Sequence, residues 1–227
     1  IPFALFIVLI ALACPGCRAR PAGLSDERMA AMKKAAVVSL LADELRVDDQ
    51  AGRDATVTNR VVEGWAFREV TEDPVRRLVH ARSGVDVVDS ASVRLGLMAA
   101  MPAEASERPA YEREPLASAV KRLQTEGGID TLLLIRADTH DLPSGIRPVS
   151  GPGLLRESPD KALTYGALAV DVLDTASGRL LATGRGYVAA PFEARHWDMC
   201  ARGEGPDSIA GLRAQTRDLL EAAAAEA

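Results

Sequence analysis

The side chains able to ligate a metal or act as nucleophiles are few: three histidines and three cysteines in 227 residues. The run His196-Trp197-Asp198-Met199-Cys200 offers donors of the right types. Its spacing matches no tetrahedral zinc pattern, and no fourth ligand is evident. A loop around a partly buried Trp197, holding no metal, is the expectation. His140 lies between Asp138 and Asp141, just past a strand predicted at Ile129–Ile135. Open α/β sheets bind ligands outside the carboxyl ends of their strands. Asp138, His140 and Asp141 are therefore the candidate ligand or partner site, against the plainer reading of a solvated loop mouth. An envelope hydrolase or a small-ligand-binding protein would use the same residues. His80 falls in an amphipathic helical pattern and reads as a surface residue.

Other motifs that carry chemistry are missing. Gly151-Pro152-Gly153 has proline where a phosphate cradle needs an N–H, and Gly184-Arg185-Gly186 lies in a predicted strand with no helix after it. Neither a Walker motif nor a dinucleotide fingerprint occurs. Ser150-Gly151 and Ser177-Gly178 lack the flanking glycine of a nucleophile elbow. The pairs Asp48-Asp49 and Glu72-Asp73 fall in a loop and at a helix start, where capping and solvation account for them. No catalytic residue, cofactor or metal is expected. The chain reads as a binding module and not as an enzyme.

Apolar residues make up 48% and charged residues 26%, a globular composition. Aromatics are only 4%, so the core must be built mainly from Ala, Leu and Val. Lys and Arg total 27 against 32 Asp and Glu, a net charge of −5, which argues against nucleic acid as a partner.

Ile1 to Ala13 is an uninterrupted apolar run. As a helix it would span ~20 Å, short of the ~30 Å hydrocarbon core, so it reads as a secretory h-region. Ala11-Leu12-Ala13-Cys14 resembles the lipobox of bacterial lipoproteins, which implies acylation of Cys14, with Cys17 as the alternative. A redox role for Cys14-Pro15-Gly16-Cys17 is disfavoured, since thioredoxin-type pairs open a helix after a strand. With lipid on Cys14, Cys17 and Cys200 are left to pair in an oxidising compartment. Residues 1–17 are thus expected to be a signal peptide with a lipobox-like end, and residues 18–34 a tether with a short helix. Residues 35–227 should form one mixed α/β domain closed by a carboxyl-terminal helix.

Within that domain, Ala35 to Leu41 is short, apolar and β-branched, the pattern of a buried strand. Glu44 to Asp48 continues it or pairs beside it, and Ala55 to Val62 alternates loosely like an edge strand. Asp73-Pro74 suits the start of a helix ending at Ser83-Gly84. Val85 to Asp89 predicts a strand; Ala91 to Met101 and Leu116 to Glu126 predict helices. Ile129 to Ile135 reads as a central strand covered on both faces. Prolines and glycines between His140 and Asp160 predict an excursion loop. Tyr165 to Leu173 and Arg179 to Val188 form a hairpin about Asp174 to Gly178, and an Ala-rich helix follows Ser208. The order implies an α/β fold with a mixed sheet and helices packed on it.

The run Gly128-Ile129-Asp130-Thr131-Leu132-Leu133-Leu134-Ile135, followed by Tyr165 to Ala182, resembles the second half of a known α/β domain. That domain occurs in periplasmic lipoproteins related to the curli-secretion lipoprotein CsgG. The penicillin-binding-protein activator lipoproteins and the amino-terminal domain of TolB share its style. Ala36-Val37-Val38-Ser39-Leu40-Leu41 and Val85-Asp86-Val87-Val88 fit its first half, and the likeness is closer still to uncharacterised proteobacterial lipoproteins with the same two strands. It covers residues 35 to 190. It implies a lipid-anchored periplasmic module that binds an envelope protein or a cell-wall component without catalysis. The chain lacks the long alternating segments of a membrane β-hairpin, which argues against secretion-pore activity. Neither candidate anchor is followed by Asp, which by the lipoprotein sorting rule implies the outer membrane.

Overall fold

The computed structural model describes residues 26–52, 55–88, 91–100, 116–142, 146–192, 197 and 211–227. The elements are α1 (Asp26–Ala31), β1 (Ala35–Ser39), β2 (Glu44–Asp49), β3 (Thr56–Val61), α2 (Phe67–Ser83) and β4 (Val87–Val88). They continue with α3 (Ala91–Ala100), α4 (Leu116–Gly127), β5 (Thr131–Ala137), β6 (Thr139–His140), β7 (Val149–Ser158), β8 (Lys161–Asp174), β9 (Arg179–Phe192) and α5 (Leu212–Glu226). The fold is mixed α/β, with helices packed on one large sheet.

β8 organises that sheet. Along one edge it pairs antiparallel with β9 over nearly its whole length. Its other edge is shared: Lys161 to Ala167 pair with β7, and Leu168 to Asp174 pair with β5. Two wings diverge from this seam. One runs β7, β2, β3, with β7 and β2 parallel. The other runs β5, β1, β4, all parallel. The hairpin that launches β9 has the turn chemistry expected of it. Gly178 has φ 71°, its N–H donates to Asp174 O at 2.8 Å, and the Asp174 carboxylate accepts the Ser177 N–H.

Strand alternation sorts the core onto two faces. Val37, Leu133, Ile135, Leu168 and Val170 pack with residues of α1, α2 and α5. Ala36, Val38, Leu132, Leu134 and Leu173 pack with residues of α3 and α4. β5 is buried from Thr131 to Ile135, as its apolar run requires. Asp130 anchors the entry to β5: its carboxylate accepts the N–H groups of Lys33 and Lys34 and the Thr131 hydroxyl. Helix α5 lies directly on glycines. A Cβ at Gly184 would collide with the Ala227 carbonyl, and one at Gly186 with the Ala223 carbonyl.

Three expectations are corrected. Residues 149 to 158 form β7, an interior strand, and not a loop. Pro152 is tolerated because it falls between the residues that pair with β6 (Val149, Ser150) and those that pair with β2 (Gly153 to Arg156). Gly151 adopts φ 66°, and Tyr165 lies over Gly153. Helix α2 begins at Phe67, so Pro74 lies two turns inside it. The start is set from a distance: Asp43 accepts the Phe67 N–H at 2.9 Å and the Ala66 N–H at 3.3 Å. Finally, the strand expected from Val85 to Asp89 begins only at Val87, and Asp89 lies outside the described residues.

The α5 contact gives a direct stability test. Gly186→Ala drives a methyl into backbone, so it should cost about 1–3 kcal/mol of unfolding free energy. Gly96→Ala, inside α3 with nothing within 4 Å of the added Cβ, should instead add about 0.5–1 kcal/mol. Urea midpoints of the two variants check both signs.

Candidate functional site

β5 reaches the seam of the sheet at Ala137, and the next residue closes it. The Asp138 N–H donates to Ala167 O at 3.0 Å, and its carbonyl accepts the Gly151 N–H at 3.3 Å. The backbone of Asp138 therefore bridges β8 and β7 where the wings part. Its carboxylate is nearly buried between two guanidinium groups, Arg136 at 3.4 Å and Arg185 at 3.2 Å. Arg136 also donates from Nε to Asp171 at 2.7 Å, and Asp171 accepts the Thr183 hydroxyl at 2.6 Å. Asp171 is fully buried. A continuous charged network thus crosses the seam from β9 through β8 to the end of β5, carrying two carboxylates and two guanidiniums.

His140 is placed by β6, which pairs antiparallel with the first residues of β7. Its ring stacks on Tyr187 of β9, centroids 3.7 Å apart and planes 4° apart. Burial, and after it the charge of Glu157, pushes the Tyr187 hydroxyl above its ordinary pKa. Asp141 is exposed. The structure thus ties Asp138 and His140 separately to Arg185 and Tyr187, two residues apart on β9, and leaves Asp141 in solvent. Among the described residues no three His, Cys, Asp or Glu converge as a metal site. Arg136, Asp171, Arg185 and Tyr187 were not singled out in the sequence. The one available signal was Asp171 in an otherwise apolar strand, where a buried charge demands a partner.

A second buried carboxylate lies on the β7–β2 wing. Asp48 of β2 is fully buried and held by Arg46 through Nε at 2.8 Å and Nη2 at 3.1 Å. The Tyr165 hydroxyl of β8 donates to it at 2.9 Å. To reach Asp48, Tyr165 must cross β7, and it does so over Gly153, where a Cβ would strike the phenol. Burial, reinforced by the Asp48 charge, raises the Tyr165 pKa far above the ordinary phenol value. Tyr165 is a fixed donor.

A third buried carboxylate, Glu72 of α2, faces the carboxyl end of β1. It accepts the Ser39 N–H at 2.7 Å, Arg94 at 2.6 Å and Arg76 at 3.0 Å. Asp49 behaves differently, being partly exposed. Burial alone would raise its pKa, and the Arg156 guanidinium with the Ala51 N–H outweighs that and holds the carboxyl below its ordinary value. Arg156 also lies over the Trp197 ring, 5.2 Å from its centroid.

His80 is exposed at the end of α2, as expected of a surface residue. Gly184 and Gly186 lie within β9. Trp197 is buried, more completely than the partly buried residue expected. Cys14, Cys17, His196, Asp198, Cys200 and the Pro102–Pro115 segment lie outside the described residues.

No family model and no curated protein matches the chain. Several solved structures are similar at low identity. The C-terminal domain of LpoB from Salmonella enterica shares 10% identity over 69% of this chain and 82% of its own, with a TM-score of 0.32. Lipoprotein GNA1162 from Neisseria meningitidis shares 11% identity over 76% of this chain and 94% of its own, with a TM-score of 0.34. Protein XCC0632 from Xanthomonas campestris shares 12% identity over 86% of this chain and 80% of its own, with a TM-score of 0.38.

The network makes two measurable demands. Asp171→Ala removes the acceptor of Arg136 Nε and of the Thr183 hydroxyl and should cost about 1.5–3 kcal/mol, whereas Asp141→Ala should change stability by less than ~0.5 kcal/mol. Urea unfolding distinguishes them. The Asp49–Arg156 pair adds a pH signature. Because the folded Asp49 pKa is depressed, its contribution is present above the unfolded value of ~3.9 and is lost as pH falls through the folded value. Arg156→Ala should therefore lower the urea midpoint at pH 6, and its gap from the wild type should narrow as the pH falls below the unfolded carboxylate value of ~3.9.

Proposed function

We propose that this chain is a non-catalytic interaction module of the bacterial cell envelope. In this reading it is held at the outer membrane, facing the periplasm, by acylation of Cys14, with Cys17 as the alternative anchor. Its partner is an envelope protein or a cell-wall component. The observation that supports this best is the state of the carboxylates. A general acid or base must reach substrate with a pKa matched to its task. Here Asp48, Glu72, Asp138 and Asp171 are each withdrawn from solvent and neutralised by arginines. Such groups stiffen a scaffold, and they are poorly placed to move protons for a substrate. The His140 imidazole, two residues from Asp138, has one ring face covered by Tyr187. The lipobox-like Ala11-Leu12-Ala13-Cys14 supports the anchor.

The test joins anchor and surface. Metabolic labelling with palmitate should mark the wild type and Cys17→Ser but not Cys14→Ser; label lost only in Cys17→Ser would move the anchor there. An unlabelled protein in the soluble cell fraction would overturn the reading. Crosslinking in intact cells should capture the same envelope protein or cell-wall fragment from the wild type and from a variant carrying Asp138→Asn, His140→Ala and Asp141→Ala. A bound small molecule, or a hydrolytic activity, that disappears in that variant would replace the adaptor reading.

A further inference from the structure

We propose that the outward surface of α3 and α4 is the face this protein lays against an anionic phospholipid surface. This orientation rests on the tethered reading given above.

The first support is apolar exposure. Among the large apolar side chains of the described residues, Leu95 is the most exposed at 73%, and Met98, one turn further along α3, is 46% exposed. Both lie on the side of α3 opposite Val93, Leu97 and Ala100, which pack on the sheet. The one charged side chain of α3, Arg94, is committed to Glu72. Helix α3 is thus apolar on both sides, and it carries no carboxylate.

The second support is charge. Beside α3, the exposed surface of α4 presents Lys121 and Arg122, with Glu126 as its single carboxylate. A cleft of about 640 Å³ separates the helices, floored by Gly96, Ala99 and Ala100 and rimmed by those two cations. The small floor residues leave room for a headgroup phosphate between guanidinium and ammonium. Lys34 lies at the carboxyl end of α4, where its Nζ donates to Gly127 O at 2.7 Å, and the exposed Lys33 precedes it. The neighbouring Asp130 is occupied by the N–H groups of Lys33 and Lys34. In a chain of net charge −5, this clustering turns one face toward an anionic surface while the remainder is repelled. Apolar side chains flanked by Lys and Arg are the composition of interfacial helices.

The third support is where the chain arrives. Helix α1 ends at Ala31, immediately before Lys33 and Lys34. Eight residues, Arg18 to Ser25, separate Cys17 from α1, and eleven, Pro15 to Ser25, separate Cys14 from it, reaches of at most ~30 Å and ~40 Å. An anchor at either cysteine delivers the chain to α1, whose end Lys33 and Lys34 join to Asp130 and to the carboxyl end of α4.

Tryptophan quenching reads this face directly, because Trp65 and Trp197 are both buried. Leu95→Trp, placed in the full chain and mixed with phosphatidylethanolamine–phosphatidylglycerol vesicles containing brominated lipid, should be strongly quenched. Val61→Trp, on the distant strand β3, should not. Each cation near such a surface contributes about five-fold to the partition constant, so Lys121→Glu with Arg122→Glu, which removes two cations and adds two carboxylates, should reduce partitioning by at least about 25-fold. Equal quenching at the two positions, or quenching indifferent to the charge reversal, overturns the proposal. So does a Leu95→Trp residue already shielded without vesicles in a protein that sediments as a dimer. Adding protein that bears no acyl chain reads the surface alone, and the mass of the envelope-purified protein reads the anchor. Failure of one is thereby separated from failure of the other.

Discussion

One edge of one strand holds this sheet together. β8 is 14 residues long, and its inner edge must serve two wings that end at Ala167 and Leu168. A sheet divided in this way is weakest at the seam, because backbone groups there have no regular ladder to join. Asp138 resolves the problem with its backbone, bonding to Ala167 on one side and Gly151 on the other. Arg136 and Asp171 then tie β5 to β8 from the same point, and Arg185 brings in β9. Asp138 thus stands where hydrogen bonding from the ladders is thinnest, and Arg136 couples it to Asp171 inside the paired part of β8.

That placement also explains which parts of the fold were legible in the sequence. β1, β5 and the β8–β9 hairpin announce themselves by local signals, apolar runs and an Asp-to-Gly turn, and these elements form close to their expected bounds. The helices at Ala91 and Leu116 do so as well. β7 was illegible because its Pro152 and its two glycines are tolerated for tertiary reasons. Gly153 makes way for a tyrosine of β8, and Pro152 lies in a gap between partners contributed by β6 and β2. The start of α2 was illegible for a related reason. Its cap is a side chain more than twenty residues upstream, so Pro74, a plausible first-turn residue, stood in for it. In the candidate site, Asp138 and His140 were visible as polar residues after a strand. Their partners on β9 were not, since a register across β8 brings them together.

The same tertiary partners change what the candidate residues can do. A carboxylate at a strand mouth is a ligand candidate only while its charge is available. Asp138 is shared between two guanidiniums, so a cation approaching it would have to displace an existing ion pair in a nearly buried setting. Removing one member of such a pair is costly because the other is left uncompensated. The chemistry is therefore conservative: these groups resist substitution for structural reasons, and conservation of their types in a relative would not by itself mark a catalytic centre.

An open sheet must also protect its edges, which otherwise pair with any extended chain. β4 is a two-residue edge and offers little template. β3 is six residues long and exposed on both faces, which leaves an arriving strand no core to extend. β9 is the long edge, and it carries Arg179, Arg185 and Pro191, residue types that blunt strand addition. Gln215 of α5 further occupies the Pro191 carbonyl at 3.0 Å. With its edges short, exposed on both faces or obstructed in this way, the sheet offers an arriving strand little to pair with.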